Sequence, residues 1–88
     1  MAFQTFISRV VRQLRASVGE PEVTLTAVRP DAIVIRVAAA MAGELVHEHR
    51  WQLHPLDQLV DVSKSILDLL AECRVERVVI AEEAAGEQ

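Results

Sequence analysis

The chain has 88 residues, 51% of them hydrophobic, a formal net charge of −4 and a single cysteine. That length holds one domain, and one cysteine excludes an intrachain disulfide framework and fits a reducing, cytoplasmic setting. The negative balance and three aromatic residues argue against a nucleic-acid protein, and the longest apolar run, residues 37–42, is far short of the ~20 a membrane helix needs.

Phe3, Phe6, Ile7, Val10, Val11, Leu14 and Val18 recur at three, four and seven, which predicts a first helix over residues 3–18. Gly19 and Pro21 stop it. The first eighteen residues hold three arginines and no acid, the balance of a transit peptide, but their apolar positions already fit the helix. Arg9, Arg12 and Arg15 share its polar face.

The period then falls from 3.6 to 2. VTLTAV (23–28) alternates as a half-buried strand, Arg29-Pro30-Asp31 is a turn, and AIVIRVAAA (32–40) is the most apolar strand and therefore central. Ala42-Gly43 makes the next turn, and ELVHEHRWQL (44–53) returns with Leu45, His47, His49, Trp51 and Leu53 on one face. Thr24, Thr26, Arg36, Glu48, Arg50 and Gln52 fall on the solvent face of such a sheet.

Pro55 suits the first position of a second helix, with Asp57 in its first turn and the apolar arc running to Cys73. VERVVIA (75–81) is apolar on both faces and should be well covered. Residues 82–88 form an acidic tail outside the single domain at 1–81. The expected fold is α+β, a two-layer sandwich in the order α-β-β-β-α-β, with a four-stranded sheet and both helices on one face.

Three site readings follow. His47 and His49, two apart on one strand face and about 7 Å apart, can share a metal ion with His54 or Asp57 as a third ligand. Alternatively they are half-covered strand residues whose nitrogens meet water or carbonyls. Arg9, Arg12 and Arg15 either pair with Asp61, Asp68 and Glu72 on the second helix or bind phosphates or an acidic partner. Trp51, an edge strand of the sheet and the helix-2 arc of Val62, Ile66 and Leu69 are the candidate partner-binding features, because so apolar a small chain has surface left to cover.

Catalytic signatures are missing: the glycines at 19, 43 and 86 build no phosphate loop, and Ser63 and Ser65 lack a nucleophile elbow. The order over residues 3–73 resembles a double-stranded-RNA-binding domain. That family has a lysine-rich start to its second helix, whereas here the stretch is Pro55-Leu56-Asp57-Gln58-Leu59-Val60-Asp61, which repels phosphate. The element order and acidic balance are also similar to the first part of type III secretion chaperones and to small phage inhibitors, likenesses that imply protein binding. The expected function is therefore a non-catalytic protein–protein interaction module without cofactor, most readily a homodimer. Metal binding through the histidines and nucleic-acid binding through the helix-1 arginines are the alternatives.

Overall fold

The computed structural model describes residues 3–29, 31–41 and 46–82, with the side chains of Arg29 and Glu82 left aside. The turns expected at Pro30 and at Ala42-Gly43, and the tail beyond Glu82, lie outside the described residues. The elements are α1 (Phe3–Ser17), β1 (Pro21–Arg29), β2 (Ala32–Ala39), β3 (Val46–Gln52), α2 (Leu59–Glu72) and β4 (Arg77–Glu82). This is the α+β order the periodicities predict.

The sheet runs β3-β2-β1-β4. β1 and β2 form an antiparallel hairpin with an irregularity between Ala27 and Arg29, and β3 extends it on the far side of β2. β4 lies parallel to β1, so the sheet is mixed, with β3 and β4 as its edges. The strong apolar character of β2 matches its inner position.

One sheet face is buried through alternate residues: Val23 and Leu25 of β1 oppose Val37 and Ile35 of β2. They share one core cluster with Phe6, Ile7, Val10 and Leu14 of α1 and Val62, Ile66 and Leu70 of α2. Half-buried Thr24 and Thr26 and exposed Arg36 point to the other face, where Arg36 Nε meets Glu48 Oε2 across the β2–β3 pair at 2.9 Å.

Two expectations change at α2. Pro55 does not open the helix: the Asp57 N–H donates to the His54 carbonyl at 2.9 Å, and Asp57 Oδ2 accepts the His54 N–H at 3.0 Å. The fixed φ of proline serves the second position of that turn as well as a first helical position, and the Asp57 carboxylate is used within the turn. The helix starts after Gln58, which supplies no side-chain cap. Its end is more strongly built. The N–H groups of Arg74 and Val75 donate to the carbonyls of Ala71 and Leu70 at 3.0 and 2.9 Å, a Schellman arrangement, with Arg74 at φ 62° in the left-handed region. Val75 and Leu70 are both buried there, which supplies the apolar contact the motif favours.

Candidate functional site

β4 leaves α2 through that cap and lies along β1 from the Glu22–Arg77 pair to the Ala27–Glu82 pair. The register places Val78 and Ile80 on the helix face with Val23 and Leu25, and Val79 on the opposite face with Thr24. Coverage was expected on both faces, but Ile80 is 69% exposed and Val79 43%. The reason is topological: among the described residues β4 has a neighbour on one side only, and half of its backbone hydrogen-bonding groups point outward.

Beside it, Leu25, Ala27, Ile33, Leu59, Ile80 and Ala81, with Ser63, line an apolar cleft of about 240 Å³. α2 contributes more than its core stripe to this side. Ser65 and Leu69 turn toward Phe3 and Trp51, lining a common hollow. At 100° per residue, Val60, Leu67 and Ala71 therefore occupy the opposite flank, the one that continues from Ser63 toward Ile80. Val60 is 77% exposed and Leu67 half-buried. Ile80 of the edge strand and the apolar cleft thus adjoin, on the side toward which this flank of α2 turns.

The predicted residues of α2 lie elsewhere. Val62 and Ile66 are buried, Ile66 with 1% exposure, and Leu69 is half-buried against the same core. The wide apolar arc contains two stripes, and these three belong to the inner one. Substituting Ile66 therefore probes the core, not an interface. Trp51 also joins the core, its ring centroid 5.4 Å from that of Phe3.

His47 and His49 do share the helix-facing side of β3, opposite Val37 and Ile35. His49 is packed against Phe3 and Phe6, with ring centroids 5.8 and 5.1 Å apart. Burial there holds its imidazole below the ordinary value of 6.5. His54 is exposed in the turn before α2. Among the described residues no group of three or more His, Cys, Asp or Glu side chains converges on a metal position, so the three histidines do not form the set that reading requires.

The arginines divide. Arg9 and Arg12 are exposed on α1, and Arg12 borders an open hollow of about 500 Å³ with Ser8, Val11, Arg15, Ala16 and Cys73. Arg15 reaches the end of α2: Nη1 donates to the Cys73 carbonyl at 2.9 Å and Nη2 to the Arg74 carbonyl. It does link the helices, but through backbone carbonyls in place of the expected Asp61, Asp68 or Glu72 side chains. A basic last turn in α1 and the orphan carbonyls that end every helix were the available signals.

No described helix is long and apolar enough to cross a membrane. No protein-family model, curated protein or solved structure matches the chain.

Proposed function

We propose that this chain is a non-catalytic protein–protein interaction module, a self-associating adaptor, chaperone-like or inhibitor-type protein, that takes its partner along the β4 edge and the adjoining flank of α2. The observation that carries the reading is the exposed apolar edge at Val79 and Ile80 beside an apolar cleft. An unpaired strand offers main-chain hydrogen bonds for affinity, and side-chain pockets at alternate positions for specificity. The opposite edge, β3, carries Glu48, Arg50 and Gln52 outward beside exposed Val46, so charged and polar side chains dominate it and disfavour pairing.

Position-resolved photo-crosslinking tests this in cells that produce the protein. A photoreactive residue replacing Ile80 should yield discrete protein adducts, whereas the same group replacing Glu48 should not. Equal labelling from both edges, or none from position 80, would remove the reading.

A further inference from the structure

We propose that the partner seated on β4 is the β4 strand of a second copy of this chain, paired antiparallel with Val79 on the two-fold axis. The inference rests on the interaction-module reading and adds the partner and the register. A two-fold that joins identical edge strands antiparallel is perpendicular to the sheet, and it keeps the helix layers of both copies on one side. Directly opposed residues project to the same face, so the axis must fall on a residue and not between two.

Three centres then lie within the apolar part of the strand. Centring on Val78 sets Glu76 against Ile80, and centring on Ile80 sets Val78 against Glu82; both oppose a carboxylate to an apolar side chain. Centring on Val79 opposes Val79 to itself, Val78 to Ile80 twice, and Arg77 to Ala81, over which the arginine stem can lie. The same register opposes Glu76 to Glu82 at both ends of the pair, a like-charge cost that confines the favourable matching to residues 77–81. This register gives the longest run of opposed pairs free of a carboxylate, from Arg77 to Ala81, whereas centring on Ile80 limits that run to 79–81.

The same operation brings the flanks of α2 toward each other across the axis. Val60, Leu67 and Ala71 then cover Ile80 and its cleft from above. One contact closes the edge strand, the cleft and the second stripe together. β3 has less to gain, because apart from Val46 its outward side chains are polar and Glu48 is already held by Arg36 at 2.9 Å.

Cysteine pairing reads the register directly, since opposed residues of an antiparallel pair lie within disulfide reach. In a full-length Cys73→Ser background, V79C should form an intermolecular disulfide under mild oxidation. R77C and A81C alone should not, but an equimolar mixture of the two should give the cross-linked pair. The mass in solution by light scattering should be twice that of the chain before oxidation. A monomer at every concentration overturns the second copy as partner, while the crosslinking from position 80 still decides the module reading separately. A dimer in which V79C stays unlinked overturns the register.

Discussion

Replacing Arg15 by Ala should remove the clamp between the end of α1 and the end of α2. The Schellman bonds serve the carbonyls of Leu70 and Ala71, the Cys73 N–H serves Leu69, and Arg15 serves Cys73 and Arg74. A hydrogen bond from a charged donor contributes about 1.5–3 kcal/mol when well buried. The Arg15 side chain is 33% exposed, so water recovers part of that, and its 3.4 Å approach to Glu20 adds little. The expected loss for both bonds together is about 1–2 kcal/mol, or a fall in Tm of about 5–15 °C for a domain of this size. Arg15→Lys keeps a positive charge at the negative helix end but reaches one carbonyl at a time, and should retain about half of the contribution. Urea and thermal unfolding followed by circular dichroism give the totals. Amide exchange should accelerate at Arg74, Val75 and along β4, which leave α2 through this cap. An Arg15→Ala protein within about 0.3 kcal/mol of the parent, or exchange that changes only in α1, would refute the reasoning.

Ile66→Ala, in the inner stripe of α2, should cost about 2–5 kcal/mol by leaving a cavity, while Val60→Ala on the exposed flank should stay within about 0.5 kcal/mol in unfolding of the monomer. Similar losses at both positions would contradict the assignment of stripes. His49 should make stability rise with pH. Its folded pKa is depressed below 6.5 by burial, so below that value the unfolded state binds more protons; the contribution is complete above pH 6.5 and is lost as pH falls toward the folded pKa. Urea midpoints at pH 7.5 and 5.5 should therefore differ more for the parent than for His49→Gln, and an unchanged difference would show that His49 is not the group responsible.

The element order was legible because the hydrophobic period switches cleanly, from the stripe through Phe6, Val10 and Leu14 to the alternation of Val23, Leu25, Ile33 and Ile35. The paired histidines also fell on the predicted face. What was hidden is of a different kind. Pro55 has one φ and two uses, and the choice between helix start and turn was made by the Asp57 carboxylate. In α2, Val60 and Ile66 look alike in hydropathy, and only the burial of Val62, Ile66 and Leu70 against the core shows which stripe is inner. The partner of Arg15 was hidden because backbone carbonyls carry no residue label. Strand order is the largest omission: alternation shows how many faces a strand wants covered, not which strand lies beside it.

β4 joins that omission to function. Val78, Val79, Ile80 and Ala81 form an apolar run suited to an inner strand, yet the topology puts it at an edge. A small domain has too little interior to hide every apolar side chain, and besides the isolated Val18, Met41, Val46 and Leu56, exposed Val79 and Ile80 adjoin each other on the edge strand. Local sequence and tertiary position disagree most often where a protein does its work. Pairing β4 with a second β4 removes the disagreement without moving any element: the edge becomes an inner strand, the cleft under Leu59 is closed, and the coverage that the run of valine and isoleucine implies is met by the assembly.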